Sequence, residues 1–162
     1  KHYKLRSVTD GLTGLLNKRE FLVRLQQEIR EKQIFALALL DIDNFKLLND
    51  THGHLNGDKA LLTLVSTLKE NLRRDDLVGR FGGDEFVIFL RGCKECETCK
   101  RIFSAISETT VPLQEDSTKI GVSMGVSFYP KDGSSSEELL EMADSRLYRA
   151  KSMGKGRLSC SD

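Results

Sequence analysis

The chain has 162 residues, of which 39% are hydrophobic and 30% charged, and its formal net charge is +1 at pH 7. This length and composition predict one globular domain with a core of its own and exclude a disordered chain. Because the charges nearly cancel, no overall field would draw the chain to nucleic acid or to an anionic membrane. The longest apolar run, residues 34–40, is far too short to span a bilayer.

The first predicted elements are a short leading segment and a helix. Residues 1–9 are expected to be the end of a linker from an upstream domain, and residues 10–162 to form the folded domain. Asn17, with Glu20 three residues later, has the spacing of a capping box and predicts a helix that runs to about Lys32.

An almost wholly apolar strand is predicted next, at residues 34–42. Such a strand is typical of the centre of a sheet with both faces covered. It ends in Asp41 and Asp43, and a carboxylate at the end of a buried strand is costly unless it is paired or binds a cation. A capping role for the following helix would explain Asp43, but it leaves Asp41 unexplained.

Two helices are predicted after this strand. The first is short, over residues 44–50, and a loop over 51–57 separates it from a longer amphipathic helix that begins at Asp58 and ends near Leu72. The charged turn that follows, residues 73–76, is by itself typical of a solvated surface corner.

A hairpin with an acidic tip is the most informative stretch. Apolar runs on both sides of it predict two short strands, the second over residues 86–90. Gly82 and Gly83 favour the turn between the strands, because primed hairpin turns need positive φ. The adjacent acids Asp84 and Glu85 lie at the tip. Hairpin pairing does not need them, although acidic residues are also common in solvated turns.

The second half of the chain predicts helices over residues 94–109 and 137–153 and strands over 119–129 and 157–160. Hairpin strands mixed with helix-connected strands predict an α+β fold, a ferredoxin-like mixed antiparallel sheet with helices on its faces. The end of the first strand and the hairpin tip would meet at one sheet edge if their strands were neighbours.

Three acids would come together at that edge, Asp41, Asp84 and Glu85. They would repel one another unless a cation lay among them. Mg²⁺ takes oxygen ligands and commonly combines one or two carboxylates with substrate phosphates. Exposed glycine amides beside the acids suit a phosphate group. The pattern therefore predicts a nucleotide site with metal-assisted phosphoryl chemistry, although no Walker loop is present.

Four cysteines favour no particular function. Cys93, Cys96 and Cys99 form a C-x-x-C-x-x-C pattern, and Cys160 is near the end of the chain. A zinc site usually needs four ligands, and the histidines are far away in sequence, so metal binding is the weaker hypothesis. We expect all four cysteines to be reduced thiols, several of them partly buried.

Five ordered motifs together resemble the GGDEF family of diguanylate cyclase domains. They are Asp10-Gly11-Leu12-Thr13-Gly14-Leu15-Leu16-Asn17, the run from Asp41 to Asp50, Gly53-His54-Leu55-Asn56-Gly57-Asp58, Arg80 to Phe86, and Ala143-Asp144 through Tyr148, Ala150 and Lys151 to Gly154. The resemblance covers nearly the whole chain from Asp10. It implies a fold like the catalytic core of nucleotidyl cyclases and an enzyme that joins two GTP molecules into cyclic di-GMP with release of two pyrophosphates.

The resemblance also implies roles for the acids. Asp41, the Ile42 carbonyl, Asp84 and Glu85 would hold Mg²⁺ or Mn²⁺, and Asp84 would help to deprotonate the attacking 3′-hydroxyl. Lys46 would join Asp84 and Glu85 in the catalytic set by adding positive charge for the transition state. Each domain would hold one GTP, so turnover would need a homodimer.

The implied GTP site extends beyond the acids. Asn49 and Asp58 match the positions that read the guanine edge, and their hydrogen-bonding chemistry favours GTP over ATP. The other implied contacts are Asn44, Phe45, Lys46, His54, Gly82, Gly83, Lys151 and Lys155. Lys155 departs from the family, which usually has Arg there. Lys can neutralise a phosphate but lacks the bidentate fork of Arg.

Arg73 and Asp76 form an R-x-x-D pattern at the family's usual distance before the glycines. The pattern resembles an inhibitory site for the product cyclic di-GMP, with a solvated charged corner as the alternative. The family further implies bacterial signalling, an upstream sensory domain, and a cytoplasmic domain whose parent protein can be attached to a membrane. Two rival functions stay open: a module that senses GTP or cyclic di-GMP without turnover, and a purely structural dimerisation domain.

Overall fold

The computed structural model of the chain describes residues 7–113 and 117–162. Within these ranges the chain forms five helices and eight strands. The helices are α1 (Lys18–Arg30), α2 (Phe45–His52), α3 (His54–Asn71), α4 (Glu97–Ser107) and α5 (Ser136–Ser152). The strands are β1 (Leu16–Asn17), β2 (Phe35–Ile42), β3 (Leu77–Gly82), β4 (Glu85–Arg91), β5 (Thr110–Pro112), β6 (Ser117–Lys119), β7 (Val122–Tyr129) and β8 (Leu158–Ser159).

Six of the strands form one sheet in the order β1-β3-β4-β2-β7-β8. The four inner strands pair antiparallel, whereas β1 and β8 pair parallel with their neighbours at the two edges. β5 and β6 form a separate antiparallel pair. The structure confirms the predicted α+β class, a mixed and mainly antiparallel sheet covered by helices.

β2 lies in the middle of the sheet and is buried on both faces. Its even-numbered residues pack into one hydrophobic core with α3 and α4, and its odd-numbered apolar residues pack into a second core with α1 and α5. This alternation follows the two-residue period of a strand. It confirms the predicted central strand and places Asp41 near the strand's C-terminal end.

The predicted helix cap at Asn17 is present, and a second cap lies at Ser135. The Asn17 side chain accepts a hydrogen bond from the Glu20 N–H at 2.9 Å. Ser135 caps α5 in the same way, through the Glu138 N–H at 3.2 Å. Each bond satisfies a backbone donor that the first turn of a helix leaves free.

The boundary between α2 and α3 differs from the prediction. α3 begins at His54 rather than at Asp58, so the loop predicted over residues 51–57 is wrong. Gly53 alone separates the two helices, because its φ of +86° turns the chain within one residue. Gly57 therefore lies inside a helix, where glycine is normally unfavourable.

The long strand predicted over residues 119–129 is two strands in the structure. β6 ends at Lys119 and β7 begins at Val122. Between them the Gly121 carbonyl accepts a hydrogen bond from the Asp43 N–H at 2.8 Å, outside the strand ladders. The sequence also does not predict β1 and β5, because strands of two or three residues owe their order to partners far away in the chain.

One disulfide contradicts the expectation that all four cysteines are reduced. Cys96 and Cys160 are bonded across a sequence separation of 64 residues, with their Cα atoms 6.1 Å apart. Pairing of β8 with β7 brings Cys160 close to the start of α4, and sequence spacing alone could not show this. Cys93 and Cys99 are free.

Two further predictions concern the ends of the chain and membranes. Residues 1–6 of the predicted linker lie outside the described residues, and Thr9 forms a β-bridge with Leu16. No helix in the described part of the chain is long and apolar enough to cross a membrane.

Candidate functional site

The predicted acidic edge of the sheet is present. β2 and β4 are neighbours, and their register places Asp41 opposite Glu85. The turn that joins β3 to β4 contains Gly83 with a φ of +44°, a conformation that favours glycine. The end of the central strand and the tip of the hairpin therefore meet, as the sequence predicted.

Arg80 and Asp10 hold this turn, a role that sequence reasoning missed. The Arg80 guanidinium donates hydrogen bonds to the Gly83 carbonyl at 2.9 and 2.7 Å and forms an ion pair with Asp10 at 3.1 Å. Burial alone would raise the pKa of Asp10, but hydrogen bonds from Thr13 and Arg80 hold it below its ordinary value. Asp10 and Arg80 both lie in motifs that match the family. That match is the signal from which their role at the turn could have been found.

Asp41 is the most constrained acid at this edge. Its Oδ2 accepts a hydrogen bond from Nζ of Lys151 at 2.5 Å, whereas its Oδ1 is buried with no hydrogen-bond partner among the described residues. Burial raises the pKa of Asp41, and the charges of Asp84 and Asp43 raise it further against the pull of Lys151. Burial also raises the pKa of Glu85, and Asp41 adds to that effect. The edge therefore carries more negative charge than its protein partners neutralise.

The acids fit a divalent cation only as a partial set of ligands. Across residues 7–113 and 117–162, no three Asp, Glu, His or Cys side chains converge into a metal-binding cluster. Mg²⁺ nevertheless commonly uses one or two carboxylates and completes its shell with phosphate oxygens and water. The unpartnered Oδ1 of Asp41, close to Asp84, fits that kind of shared site.

A cavity of about 590 Å³ opens beside the acids, at the N-terminal end of α2. It is lined by Asp41, Ile42, Asp43, Asn44, Phe45, Lys46, Leu47, Asp50, Asp84, Lys151 and Lys155. The sequence predicted all of these except Asp43, Leu47 and Asp50. Three lysines and the first residues of a helix suit a phosphate chain, because both carry positive charge or free N–H groups.

Asp43 does not cap α2, contrary to one interpretation of the sequence. The N-cap is Asn44, whose side chain makes no capping bond. Asp43 instead accepts hydrogen bonds from the Ser123 hydroxyl at 2.7 Å and from the Gly156 N–H at 2.9 Å. Nζ of Lys155 donates to Oδ1 of Asn44 at 2.9 Å. These bonds hold the loop after α5 against the start of α2 and place Lys155 at the cavity.

Several predicted residues lie outside the cavity lining. Gly82, Gly83 and Glu85 lie at the hairpin tip, and Asn49, His54 and Asp58 lie on the α2–α3 pair. His54 is exposed as the first residue of α3, and Asp58 is half-buried one turn later. The structure thus brings most of the predicted phosphate and metal residues to the cavity, whereas Glu85 and the two glycines stay outside its lining. The predicted guanine residues Asn49 and Asp58 form a separate group.

Asn49 packs directly against the backbone of α3. A Cβ on Gly57 would lie 1.7 Å from Oδ1 of Asn49, so only glycine fits beneath this side chain. The same oxygen is buried and lacks a hydrogen-bond partner in the described part of the chain. Gly57 therefore allows the Asn49 side chain of α2 to pack against α3 at the residue that precedes Asp58. Gly57 lies in one of the motifs that match the family, but the sequence alone does not show why glycine is needed there.

Asp76 of the R-x-x-D pattern has a structural role. Its Oδ2 accepts a hydrogen bond from the Arg73 N–H at 2.8 Å, and its Oδ1 accepts one from the Arg91 N–H at 3.0 Å. The two bonds close the turn after α3 and attach it to β4. Arg73 is exposed beside a small cavity of about 60 Å³. The corner is therefore an ordered turn, and its role as a product site stays a prediction.

A comparison with protein families decides the classification. The model of the family described as "Diguanylate cyclase, GGDEF domain" matches residues 7–157. The chain belongs to the GGDEF family. The resemblance drawn from five short motifs is thereby confirmed over nearly the whole length of the GGDEF domain.

Curated relatives of this GGDEF domain include named cyclases. It is 37% identical over 160 residues to diguanylate cyclase DgcP of Pseudomonas aeruginosa, which covers 94% of this chain and 24% of that protein. It is 34% identical over 164 residues to the probable diguanylate cyclase DgcC of Escherichia coli K12, which covers 97% of this chain and 44% of that protein. The chain thus spans less than half the length of these relatives.

Solved structures confirm the fold of the GGDEF domain. The GGDEF domain of DgcB from Caulobacter crescentus, solved in complex with c-di-GMP, matches with a TM-score of 0.86 and 28% identity over 98% of each chain. Diguanylate cyclase SiaD of Pseudomonas aeruginosa, solved with its activator SiaC, matches with a TM-score of 0.89 and 31% identity over 96% of this chain and 62% of that one.

Proposed function

We propose that this GGDEF domain is a diguanylate cyclase, which condenses two GTP molecules into cyclic di-GMP. The 3′-hydroxyl of one GTP attacks the α-phosphate of the other, a phosphodiester bond forms, and pyrophosphate leaves. The 3′-hydroxyl of the second nucleotide then attacks the α-phosphate of the first. This step closes the ring and releases the second pyrophosphate. Membership of the family and the names of DgcP and DgcC support this choice of reaction.

The arrangement at Asp41 is the observation that carries the proposal. This carboxylate lies opposite Glu85, pairs through one oxygen with Lys151, and keeps its other oxygen buried without a partner among the described residues. A buried, unpartnered carboxylate oxygen costs stability unless a ligand uses it. It faces a site that also holds Asp84 and the lysines, so a phosphate–cation pair is the ligand that best satisfies it.

The acids would act together on the attacking hydroxyl. Mg²⁺ or Mn²⁺, when bound, would supply positive charge to the phosphates and lower the pKa of that hydroxyl. Asp41, Asp84, Glu85 and the Ile42 carbonyl are the residues that would hold the ion. Asp84 would accept the proton of the 3′-hydroxyl, because it is half-buried and lines the cavity.

The cationic side of the cavity would bind and stabilise the phosphates. Lys46, Lys151 and Lys155 would neutralise the charge that develops as pyrophosphate leaves. The backbone N–H groups at Asn44 and Phe45 begin α2 and are available to phosphate oxygens. Lys155 supplies a point charge where the family usually has the fork of Arg.

The α2–α3 pair would select guanine. Asp58 can accept hydrogen bonds from the N1–H and amino group of guanine, and Asn49 can serve another position on the same edge. Adenine would leave these polar groups unpaired, which penalises ATP. His54 would contact the substrate from the exposed end of α3, and Gly82 and Gly83 would lie against the nucleotide.

Two properties of the reaction extend beyond a single domain. One domain holds one GTP, so two domains must face each other as a homodimer, normally under the control of an upstream sensory domain.

Cyclic di-GMP would inhibit the enzyme at Arg73 and Asp76. Since both Asp76 oxygens already accept backbone hydrogen bonds, Arg73 would make the main contact with the product.

Product analysis tests the proposal. The purified domain is incubated with GTP and Mg²⁺, and cyclic di-GMP and pyrophosphate are measured. Asp84→Asn should abolish product, because it removes the proton acceptor and a cation ligand while keeping the shape of the side chain. Asp75→Asn, at an exposed position outside the cavity, is the matched control and should leave the initial rate unchanged.

The same experiment separates the rival functions. GTP binding without product at any protein concentration would support a sensing module and make Lys155 the first residue to replace by Arg. Absence of GTP binding would leave only a structural dimerisation domain. Equal rates for Asp84→Asn and the unmodified domain would contradict the assigned chemistry.

A further inference from the structure

The Cys96–Cys160 disulfide has no part in the proposed cyclase chemistry. It joins the N-cap residue of α4 to the residue that follows β8. The proposed substrate, GTP, is found inside cells, where glutathione and thioredoxin keep most thiols reduced. A disulfide in that compartment is usually transient and responds to the redox state. This behaviour favours a regulatory role for the bond, an inference that rests on GTP being the substrate.

The segment that carries Cys160 is otherwise attached to the described part of the chain by short contacts. β8 pairs with β7 through two residues, and the Met124 N–H donates to the Arg157 carbonyl at 2.9 Å just before them. Leu158 packs partly buried against a core. Asp162 pairs with an arginine of α5 at 3.4 Å, but its side chain is 73% exposed, so solvent weakens the pair. Loss of the disulfide would therefore loosen β8.

The loop before β8 has a conformation that both of its ends must hold. Gly154, Lys155 and Gly156 have φ values of +116°, +62° and +59°. Glycine tolerates such values, whereas a lysine adopts them at a cost and only where its surroundings hold it there. One end is held by α5, because the Lys155 N–H donates to the Ala150 carbonyl at 3.1 Å. The other end is held by β8, so a loosened β8 lets Lys155 relax.

This loop contacts the nucleotide cavity through two hydrogen bonds. The Gly156 N–H donates to Asp43 at 2.9 Å, and Nζ of Lys155 donates to Oδ1 of Asn44 at 2.9 Å. Lys155 lines the cavity, and Asn44 begins α2 on its phosphate side. Lys155 and Gly156 are exposed, so water competes for both bonds once the loop is free to move. The contacts thus connect the disulfide, through β8 and the loop, to the phosphate side of the cavity.

A small reductant has access to the disulfide. Both of its cysteines are half-buried rather than enclosed in a core. Cys160 lines a groove of about 440 Å³ between the end of α5 and the last residues of the chain. Arg149 and Arg157 share this lining, and their positive charge attracts a thiolate, which is the reactive form of a thiol.

We propose that the Cys96–Cys160 disulfide is a redox switch that controls GTP binding through the position of Lys155. A thiolate of a dithiol attacks the Cys160 sulfur and forms a mixed disulfide, and Cys96 leaves as a thiolate that takes up a proton. The second thiol of the reductant loses its proton, attacks its own sulfur in the mixed disulfide and releases Cys160, which is protonated in turn. Two electrons and two protons pass from the dithiol to the domain. The oxidised domain holds Lys155 at the phosphates, and the reduced domain binds GTP more weakly.

Titration with 3′-deoxyGTP tests the switch, because this analogue lacks the attacking hydroxyl of the proposed reaction and binds without turnover. Its affinity for the unmodified domain is measured with Mg²⁺ before and after reduction by dithiothreitol. Thiol counting on the unfolded chain confirms each state, because reduction raises the number of free cysteines from two to four. Reduction should weaken binding about tenfold, the worth of one hydrogen bond to a charged group.

The two hypotheses fail in different ways in this titration. Absence of binding in both redox states would refute GTP as the ligand of the cavity. Binding of equal strength in both states would overturn the switch and leave the proposed function standing.

Three variants test the route from the disulfide to the cavity. Cys160→Ser should bind the analogue as the reduced domain does, with or without dithiothreitol. Lys155→Ala should bind weakly in both redox states, because the position of this residue then no longer matters. Cys93→Ser, at a free cysteine of the same motif, is the matched control and should keep the full response to reduction. A tenfold response that persists in Lys155→Ala would contradict transmission through this side chain.

Hydrogen exchange at the Gly156 amide reports on the loop without any nucleotide. This amide is bonded to Asp43 in the oxidised domain. Nuclear magnetic resonance should show faster exchange there after reduction, while the amides of the central strand β2 stay protected. Unchanged exchange at Gly156 would overturn the proposal. Loss of protection throughout β2 would also overturn it, because the bond would then support the whole fold instead of the loop.

Discussion

At the scale of single residues, the acids of this domain differ in what their charge does to stability. Burial raises the pKa of Asp41, so its ionisation costs stability at neutral pH. Asp132 has the opposite shift. Burial alone would raise its pKa, but hydrogen bonds from Arg146 and from the Phe128 N–H hold it below the ordinary value. The first arrangement is typical of a functional site and the second of a structural ion pair.

Replacing each acid by its amide should therefore change stability in opposite directions. Asp41→Asn should raise the free energy of unfolding at pH 7 without divalent cations, by less than about 1 kcal/mol, because Lys151 is partly exposed and solvent screens the pair. Asp132→Asn should lower it by about 3 kcal/mol, because the buried charge of Arg146 loses its buried carboxylate and keeps only the exposed Asp162. Urea unfolding of both variants measures these effects.

The pH dependence supplies the control for this comparison. The cost at Asp41 is present at neutral pH and disappears below its ordinary pKa of 3.8, where the carboxyl is protonated in both states. The gain at Asp132 is present above its ordinary pKa of 3.8 and is lost as the pH falls through its lower folded value. Effects of the same sign at pH 7 would contradict the assignment.

Gly57 provides a second prediction at this scale. Gly57→Ala should destabilise the domain by about 1–3 kcal/mol and weaken GTP binding, because the new Cβ would overlap the Asn49 side chain. In an Asn49→Ala background the same change should instead stabilise by up to about 1 kcal/mol, because alanine is the better helix former. Urea unfolding and GTP titration are measured for the unmodified domain, Gly57→Ala, Asn49→Ala and the double variant. Together the four form a double-mutant cycle. A destabilising effect in both backgrounds would show that something other than Asn49 requires glycine.

At the scale of elements, the shortest pieces position the site. β8 has only two residues, yet it follows the loop whose Gly156 N–H holds Asp43 and whose Lys155 reaches Asn44. The Cys96–Cys160 disulfide attaches the end of this segment to α4. The disulfide therefore helps to hold β8 and the loop before it, and this loop carries Lys155 to the phosphate side of the cavity. The disulfide itself lies outside the cavity lining.

Removing that disulfide should cost stability. For a separation of 64 residues, the chain-entropy model gives a loss of about 4 kcal/mol when Cys96 and Cys160 are both replaced by Ser. The physical reason is that the unfolded chain regains freedom that the bond denied it. Urea unfolding with and without a reductant measures the effect in the unmodified chain, and the double variant should be insensitive to the reductant. Equal stability of the oxidised and reduced unmodified chain would contradict it.

At the scale of the whole molecule, one domain would bind only one of the two GTP molecules that the proposed reaction needs. The cavity beside the acids is lined by residues of one domain, whereas the proposed product contains two nucleotides. The net charge of +1 gives no long-range attraction between copies, so encounter depends on local contacts or on attached domains.

Dilution should therefore reduce the rate per domain. At protein concentrations below the dissociation constant of the dimer, total product should rise with the square of concentration, and above it linearly. The assay follows cyclic di-GMP formation at saturating GTP over a wide range of concentrations, with sedimentation to locate the dimer. A constant rate per domain through that range would refute catalysis between two domains.

The sequence by itself determined the class of the fold, the central strand and the family. The almost continuous apolar sequence of β2 requires two covered faces. The turn residues before Asp84 favour a hairpin, and both signals are local in the chain. The predicted cap at Asn17 is local for the same reason. Motifs matched to the family also located most of the cavity lining, because each motif supplies one segment of the site.

Only the tertiary structure decided the contacts between distant segments. The pairing of Asp41 with Lys151, the bonds of Asp43 to β7 and the loop after α5, and the Cys96–Cys160 disulfide each join residues more than 60 positions apart. The helical position of Gly57 depends likewise on Asn49 packing against it. No local propensity specifies such contacts, because they form only when the sheet order and the two cores bring the segments together.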